Sequence, residues 1–431
     1  MLDIKLIIND PDAVKNAIHK REMDLDDKVD AIVELDGKRR ELIGNVEKMK
    51  AERNACSKKI PQMKTAGEDT TEVMAAMKKL ADTIKESDAE LNAVQEQLQD
   101  LMYSLPNMPG EDVQAGGKEQ NIPDHTFGEK PVFDFEPKNH VDLCESLGLI
   151  DYERGAKLGG NGAWIYRGMG SRLEWALLNF FISEHLKDGY EFILPPHMLN
   201  WECGTVAGQF PKFAEEVYHI ANPTSTDKKF ILPTAETALV NLHRGEILTL
   251  EELPRKYIAY TPCYRREAGS YRSEERGMIR GHQFNKVEMV QYTTAEGSEA
   301  AFQELVRKAE SLVQKLGLHY RLSRLAAGDC SFSMSKTYDV EVWIPSMGIY
   351  KEVSSASNAR DYQARRGNIK YRDQDGKLQF VHTLNASGLA TSRVLPAIVE
   401  QYQNADGSVT VPEVLRPFLG GIEVLEPVAK K

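Results

Sequence analysis

Between residues 27 and 105 the hydrophobic positions recur at alternating steps of three and four, in two successive runs. In the first run the positions of this seam are Ile32, Leu35, Arg39, Leu42, Val46, Met49, Arg53, Cys56 and Ile60. After the polar segment KTAGEDTTE, the second run consists of Val73, Met77, Leu80, Ile84, Ser87, Leu91, Val94, Leu98, Leu101 and Leu105. Heptads of this kind predict two helices that pair as an antiparallel coiled-coil hairpin. At 1.5 Å per residue, a helix of about 35 residues is roughly 50 Å long.

The pattern changes after the second run. Pro106 and Pro109 end the helix, and residues 110–135, rich in Gly, Pro, Asp and Lys, predict a linker. Beyond it, SRLEWALLNFFISEHLKDGY (171–190) has the period of an amphipathic helix. KYIAYTPCYRRE, HQFNKVEMVQY and YDVEVWIP alternate like strands of an antiparallel sheet. We therefore predict an α+β protein with an N-terminal helical domain (1–109), a linker (110–135) and a sheet domain flanked by helices (136–431).

The composition of the chain limits the class of protein and the cellular compartment. The chain has 431 residues, 41% of them hydrophobic, which is enough for a large core and a second domain. Its five scattered cysteines form no CxxC pair, which favours a reducing compartment and no structural metal. No apolar run has the length of a signal peptide or a membrane span. A soluble, cytoplasmic protein with no membrane partner is expected.

The first helix of the predicted hairpin is basic, although the formal net charge of the chain is −11. Its cations are Lys38, Arg39, Arg40, Lys48, Lys50, Arg53, Lys58 and Lys59. A basic helix on an acidic protein indicates a polyanionic partner. A solvated charged face explains the same pattern equally well.

The most charged stretch is CYRREAGSYRSEERGMIRGHQFNKVEMVQY, residues 263–292. In extended chain, Arg265 and Glu267 share a face, and so do Phe284, Lys286 and Glu288. Residues 268–281 between them are too many for a tight hairpin, and long loops on a rigid sheet are usually functional or disordered. Arginine suits a phosphate and an aromatic ring suits a base. The stretch predicts a nucleotide site that needs no glycine-rich loop.

Two further segments carry candidate ligands. In KEVSSASNARDYQARRG, Glu352 and Ser355 offer hard oxygen atoms suited to Mg²⁺. In HTLNASGLATSRVLPAIVEQYQ, Asn385 or Ser387 is expected to cap a helix from which Arg393 projects. Taken singly, a surface salt bridge, an ordinary N-cap and an exposed charge explain these residues equally well.

Together these segments make the whole chain resemble the bacterial-type seryl-tRNA synthetases, which are class II aminoacyl-tRNA synthetases. Motif 1 corresponds to the helix at 171–190 with the strand ending at Pro196. Motif 2 corresponds to CYRRE…HQFNKVEMV, motif 3 to NASGLATSR, and ILPTAETALV carries the TxE element of the serine enzymes. The resemblance implies an antiparallel catalytic sheet, activation of L-serine by ATP and Mg²⁺, and transfer of the seryl group to the 3′ end of tRNA(Ser). It leaves charging of a selenocysteine tRNA open.

The resemblance also assigns roles to residues, with Arg265 and Arg393 at the catalytic centre. The implied ATP ligands are Arg265, Arg266, Glu267, Phe284, Glu352, Val353, Ser354, Ser355 and Arg393. The implied serine ligands are Thr234, Ala235, Glu236, Arg265, Glu288, Asn385 and Ser387. Glu352 and Ser355 would hold Mg²⁺. On the hairpin, the implied tRNA contacts are Arg39, Arg40, Lys48, Lys50 and Arg53, with no role for DNA.

A homodimer is implied as well, through an apolar motif 1 helix that contains Trp175, Leu177, Leu178, Phe180 and Phe181. We also expect removal of residues 1–109 to spare serine activation. The motif 2 loop departs from the family pattern at Arg266 and at YRSEE (271–275). Two alternatives remain: a paralogue that loads an amino acid onto a carrier protein, and an inactive binding protein. The basic hairpin argues against the first, and the intact set of charged motif residues argues against the second.

Overall fold

The computed structural model of the chain describes residues 1–221, 226–267 and 277–428. The predicted loop residues 271–275 lie outside this range. Contacts divide the chain into two compact units. The helical unit comprises 2–19 and 23–105, and the catalytic unit comprises Met1, Lys20–Glu22 and the chain from Pro106 onward.

The helical unit contains the two long helices that the heptads predict. Its helices are α1 (Ile4–Asn9), α2 (Pro11–His19), α3 (Asp26–Ala66) and α4 (Thr71–Tyr103). Seam residues such as Ile32 and Val46 on α3 and Ile84 and Val94 on α4 are buried. Helix α3 ends at Gly67, which adopts the left-handed conformation (φ 73°) that glycine allows without a steric penalty. The hairpin of α3 and α4, called the arm below, is confirmed.

The catalytic unit has the following helices: α5 (His140–Ser146), α6 (Tyr152–Gly159), α7 (Met169–Lys187), α8 (Trp201–Val206), α9 (Glu236–Leu239), α10 (Ser298–Lys315), α11 (Tyr362–Gly367) and α12 (Thr391–Gln401). Its strands are β1 (Ile122–Phe127), β2 (Ile150–Asp151), β3 (Ile165–Tyr166), β4 (Glu191–Ile193), β5 (Met198–Asn200), β6 (Tyr218–Ile220), β7 (Lys229–Ile231), β8 (Ile247–Leu248), β9 (Arg255–Tyr264), β10 (Gln283–Thr293), β11 (Tyr320–Arg324), β12 (Lys336–Ile344), β13 (Ile349–Arg360), β14 (Lys370–Arg372), β15 (Leu378–Phe380), β16 (His382–Ala390), β17 (Val409–Thr410) and β18 (Val424–Leu425).

Among the described residues, eight strands form the main sheet in the order β1-β11-β12-β13-β16-β10-β9-β4. Neighbouring strands are antiparallel, except that β4 runs parallel to β9. The α+β class with an antiparallel sheet is therefore confirmed. Strand β1 lies within the stretch predicted as a linker, and it pairs with β11 at the sheet edge. Its six residues are all exposed, so no hydrophobic alternation signals a strand there.

Alternation along the central strands separates the core from the functional face. On β12, Val340 and Val342 belong to the hydrophobic core with residues of α7, α10 and α12. Asp339 and Glu341 on the same strand line a cavity on the opposite face. Strands β10 and β16 follow this rule, since successive side chains of a strand point to opposite faces.

The structure corrects one prediction about the third segment. Asn385 and Ser387 lie within β16 and do not cap a helix, because α12 begins at Thr391 with Ala390 as its N-cap. In the sheet, Ser387 is the cross-strand partner of Glu288 on β10. Pairing with two neighbouring strands outweighs the local capping preference of these residues.

Candidate active site

A cavity of about 1110 Å³ lies over the polar face of the sheet. Its lining includes predicted residues from all the sequence segments: Thr234, Glu236, Arg265, Glu267, Glu288, Glu352, Ser355, Asn385, Ser387 and Arg393. A small adjoining recess is lined by Phe284 and Val353 and shares Arg265 and Arg393 with the cavity. Residues as far apart as 234 and 393 are therefore brought to one place by strand order.

Arg265 follows directly after the last residue of β9. Its backbone N–H donates to His282 O at 2.9 Å, which continues the β9–β10 ladder by one step. Its guanidinium carbon lies 5.2 Å from the centroid of the Phe284 ring. Glu267 departs from the predicted strand because its φ is +49°, and its carboxylate accepts from Arg280 Nε at 2.7 Å. The predicted cation and aromatic ring are thus adjacent, and Arg280, paired with Glu267, lines the same recess.

The second charged group surrounds Glu352 on β13. The guanidinium of Arg393, in the first turn of α12, donates to Glu352 O at 2.8 Å and lies 3.3 Å from its carboxylate. Burial raises the pKa of Glu352, but the positive charges of Arg393 and Arg265 outweigh it and hold the pKa below its usual value. Glu352 therefore remains a carboxylate beside two arginines.

Asp339 lies next to this group, opposite Ser355 in the register of β12 and β13. It is buried, and its Oδ1 has no hydrogen-bond partner among the described residues. Burial and the nearby Glu352 raise the pKa of Asp339 well above its usual value. A buried carboxylate oxygen without a donor, beside Glu352 and Ser355, fits a hard cation. The residues present therefore fit the predicted Mg²⁺ site.

A third polar group occupies the end of the cavity near α9. Thr234 donates to Glu288 Oε2 at 3.0 Å, and Lys286 Nζ donates to Thr234 Oγ1 at 2.9 Å and also pairs with Glu288. Glu236 begins α9 and accepts from Gln363 Nε2 at 2.8 Å. Burial, and then the nearby Glu288, raise the pKa of Glu236 to about 7.

Three predicted ligands do not line either cavity. Ala235 is fully buried in a hydrophobic cluster, and Ser354 is buried and donates to Ser387 O at 2.6 Å. Arg266 is exposed, and its guanidinium donates to Glu215 O at 2.9 Å. The alternation of the chain turns Arg266 away from the side of Arg265.

The predicted tRNA contacts on the arm differ in their surroundings. Arg39 and Arg40 both pair with the buried Asp36 at 2.6 Å, and Lys50 pairs with Asp88 at 3.0 Å. Lys48 and Arg53 have no ion-pair partner in the part of the chain that the structure describes. The arm thus holds some of its cations in its own ion pairs and presents others to solvent.

Sequence reasoning missed Asp339, Gln363 and Arg280 as members of the site. The sequence places Asp339 only within an alternating strand. Gln363 lies on a short helix (α11) at the end of the segment KEVSSASNARDYQARRG, outside motifs 1 to 3 and the TxE element. A signal existed for Asp339, since polar residues at positions 337, 339 and 341 alternate with apolar ones. None existed for Gln363, because its contact with Glu236 spans 127 residues.

The sheet and its cavity define the catalytic core of a class II aminoacyl-tRNA synthetase. Residues 218–402 match the family described as tRNA synthetase class II core domain (G, H, P, S and T). Residues 1–109 match the family described as Seryl-tRNA synthetase N-terminal domain. The chain belongs to the seryl-tRNA synthetase family, and it is an aminoacyl-tRNA ligase.

Individual relatives agree with this assignment. The chain is 60% identical to serine–tRNA ligase 2 of Clostridium acetobutylicum, over 97% of this chain and 99% of that protein. It is 45% identical to the serine–tRNA ligase of Fervidobacterium nodosum, over 99% and 100% of the two chains. The crystal structure of seryl-tRNA synthetase from Pyrococcus horikoshii complexed with ATP superposes with a TM-score of 0.93 at 33% identity, covering all of both chains.

Proposed function

We propose that the chain activates L-serine with ATP and transfers the seryl group to the 3′ end of tRNA(Ser). The observation that carries this proposal is that one cavity is lined by two distinct groups of polar side chains. Arg265, Glu352 and Arg393 form a charged group for a nucleotide, and Thr234, Glu236 and Glu288 form a polar group for a small amino acid. Arg265 lines both the cavity and the recess, and its positive charge acts on Glu352 in the first group and on Glu236 in the second.

For ATP, the base would stack on Phe284 in the recess, and Arg265 and Arg393 would bind phosphate oxygens through paired N–H donors. Glu352 and Ser355 would hold Mg²⁺, with Asp339 as a further oxygen ligand beside them. When bound, the ion would neutralise charge on the phosphates. Within the chain, Arg393 keeps the Glu352 carboxylate ionised and so available as a ligand.

For serine, Glu236 and Glu288 would accept hydrogen bonds from the ammonium group, and Arg265 would bind the carboxylate. Ser387, the cross-strand partner of Glu288, would meet the side-chain hydroxyl. A buried polar site that loses one partner is destabilised by the unpaired group, so alanine should be rejected by roughly 10⁴-fold or more. Threonine would be excluded by the size of the site.

Activation joins these two substrates. A carboxylate oxygen of serine attacks the α-phosphorus of ATP, and pyrophosphate leaves. A terminal ribose hydroxyl of the tRNA then attacks the carbonyl carbon of the adenylate, and AMP leaves. Charge moves between oxygens without a covalent enzyme intermediate, so positioning and fixed positive charge supply most of the rate enhancement.

The arm would bind the tRNA outside the catalytic site. Double-helical RNA is recognised mainly by shape and by phosphate contacts, which suits a long helical hairpin with basic residues such as Lys48 and Arg53. In the described residues no helix is long and apolar enough to cross a membrane. A cytoplasmic location remains our proposal.

A homodimer is proposed from motif 1, on a set of residues that shares only Trp175 with the expected one. Leu177, Leu178, Phe180 and Phe181 are buried within this chain, so they do not need a partner. Large apolar side chains that are exposed near α7 and β4 are Trp175, Leu186, Phe192, Leu194 and Met198. Exposed apolar surface of this extent is typical of an interface. A monomer in sedimentation at micromolar concentration would contradict the dimer.

The decisive experiment for the reaction is ATP–pyrophosphate exchange with each of the twenty amino acids. We expect serine alone to support rapid, Mg²⁺-dependent exchange. Rapid exchange with another amino acid, and none with serine, would contradict the proposal. Transfer to a carrier protein in place of tRNA would favour the paralogue alternative.

A further inference from the structure

The segment 325–335 connects β11 to β12 and forms one wall of the cavity. Asp329, Ser331, Phe332, Ser333 and Met334 all line it. Asn385, one of the proposed serine ligands, has its Nδ2 3.8 Å from Met334 Sδ. This segment, called the wall loop below, has no regular secondary structure to satisfy its own backbone carbonyls.

Arg21 supplies donors to these carbonyls from a distant part of the chain. Its side chain is buried, and it donates from Nη1 to Ala327 O and Cys330 O, both at 3.0 Å. Its Nη2 donates to Met334 O, and its Nε donates to Asn107 O at 2.9 Å. Within the described residues the guanidinium has no carboxylate partner. A buried cation is costly unless it is well hydrogen-bonded, and here backbone carbonyls take the place of a counter-ion.

Asn107 binds the wall loop at positions 332 and 333, between two of the carbonyls that Arg21 contacts. Its backbone N–H donates to Phe332 O at 2.9 Å. Its side-chain Nδ2 donates to Ser333 O at 2.9 Å and to Ala359 O on β13 at 2.8 Å. It therefore joins the wall loop to the strand that carries Glu352 and Ser355.

The position of these two residues in the sequence is unexpected. Both lie within the 1–109 segment that matches the Seryl-tRNA synthetase N-terminal domain. In the structure, Lys20–Glu22 and the chain from Pro106 belong to the catalytic unit, and the arm lies between them in sequence. Two parts of the N-terminal segment, around Arg21 and around Asn107, therefore belong to the catalytic unit and contact the wall loop.

We propose that Arg21 and Asn107 are positioning residues for amino acid activation, because they hold the wall loop in the conformation that places Met334 against Asn385. The kinetic consequences of this inference rest on the proposed function. Neither residue lines the cavity, so each acts through the loop carbonyls. Lysine cannot replace Arg21, because an ammonium group lacks the planar fork of donors that reaches carbonyls at 327, 330 and 334 together.

The test compares Arg21→Met, Arg21→Lys and Asn107→Ala with the full-length wild type in serine-dependent pyrophosphate exchange. We expect the KM for serine to rise at least tenfold in all three variants, while the KM for ATP changes less than threefold. Arg416→Met is the matched control. Arg416 also donates to a backbone carbonyl in the catalytic unit, Val411 O at 3.2 Å, but it lies away from the cavity, and its serine KM should be unchanged.

A purely stabilising role would lower the melting temperature without changing the serine KM of the folded enzyme. A folded Arg21→Met or Asn107→Ala variant with a wild-type serine KM would therefore overturn the proposal. If Arg21→Met does not fold, Asn107→Ala decides the question, because it removes three hydrogen bonds of a neutral side chain and no buried charge. Asn107→Asp, which replaces the donors by acceptors of the same shape, should raise the serine KM further.

Hydrogen exchange separates this proposal from the proposed reaction. We expect the amides of residues 327–334 to exchange at least tenfold faster in Asn107→Ala than in wild type, whatever amino acid the enzyme activates. If the wild type shows no serine-dependent pyrophosphate exchange, the proposed function fails. The hydrogen-exchange measurement still decides whether Arg21 and Asn107 hold the wall loop. Unchanged protection of 327–334 in both Asn107→Ala and Arg21→Lys would reject it.

Discussion

Gln363 Nε2 donates a hydrogen bond to Glu236 Oε1 at 2.8 Å, so a residue outside motifs 1 to 3 and the TxE element orients a proposed serine ligand. Gln363 is itself fixed, since it also donates to Ala207 O at 3.0 Å and accepts from Thr383 Oγ1 at 2.6 Å. The bond favours the ionised form of Glu236. It thereby opposes the burial and the charge of Glu288, which raise the pKa of Glu236 to about 7.

The first prediction concerns pH. Protonated Glu236 cannot pair with the serine ammonium, so kcat/KM for serine should rise as pH increases through about 7. Glu236→Gln should remove this inflection, and Gln363→Leu should move it to higher pH because a donor to the carboxylate is lost. Pyrophosphate exchange between pH 6 and 8.5 measures both effects. Gln379→Leu, at an exposed glutamine that donates to Asp373, is the control and should leave the profile unchanged. A flat wild-type profile would contradict this role of Glu236.

The second prediction concerns neighbouring arginines. Arg265→Ala should lower the rate of serine-dependent exchange by about 10² to 10³-fold, since a fixed positive charge at the reacting phosphate is lost. Arg266→Ala should stay within about threefold of wild type, because that guanidinium lies outside the cavity on Glu215 O. Equal losses of exchange rate in the two variants would contradict this prediction, because the effect would then not depend on whether the arginine lines the cavity.

The third prediction concerns the stability of the motif 1 helix. Glu174 on α7 accepts from Asn285 at 2.7 Å and from Thr391 at 2.5 Å, both through Oε1. Its Oε2 is buried without a partner among the described residues, and burial raises its pKa to about 7. A raised pKa means that the folded state binds the proton more tightly than the unfolded state. Its contribution to stability is therefore complete below the unfolded pKa near 4.5 and is lost as pH rises through about 7.

Glu174→Gln keeps the accepting oxygen and removes the buried charge. We expect its melting temperature to exceed that of wild type at pH 8.5, and the difference to shrink at pH 5.5. The shift in pKa from 4.5 to about 7 corresponds to at most roughly 3 kcal/mol. Glu153→Gln is the control, because Glu153 is exposed, pairs with Lys157 and has a lowered pKa. A difference independent of pH would show that Glu174 does not titrate in this range.

The fourth prediction concerns the arm. Lys48→Gln with Arg53→Gln should weaken tRNA binding and reduce the salt slope by roughly one unit for each phosphate that the variant no longer neutralises. Serine activation should be unchanged. Lys78→Gln with Lys79→Gln, on the second helix of the arm, removes the same charge where no contact is proposed. Equal effects of the two pairs would indicate a general electrostatic attraction and would contradict a specific site on α3.

The positions of Arg21 and Asn107 change the expectation that removal of residues 1–109 spares serine activation. Removal of residues 1–109 would delete Arg21 and Asn107 together with the arm, so serine activation should suffer as well as tRNA binding. Excision within the arm alone, leaving Lys20–Glu22 and the chain from Pro106, is the deletion that should spare activation. The two deletions measured side by side in pyrophosphate exchange would show the difference.

The sequence by itself determined the parts of this protein that depend on local periodicity. Heptads predict α3 and α4 because both partners of each seam contact lie on regular helices of one hairpin. Alternation predicts β9, β10 and β12, and charged residues within those strands mark the functional face. The motif resemblance places Arg265, Glu352 and Arg393 in one site, and the structure brings these three together.

Tertiary structure decided what depends on register and on contacts between distant segments. Asn385 lies in a strand because β10 and β13 pair with it on both sides, and a capping preference of a single residue is weaker than two ladders. Phe180 and Phe181 are buried in the monomer, while Trp175 on the same helix is exposed, a choice made by the packing of α7 on the sheet. Arg21 reaches carbonyls more than 300 residues away, and no local pattern can encode an acceptor that only the folded chain assembles.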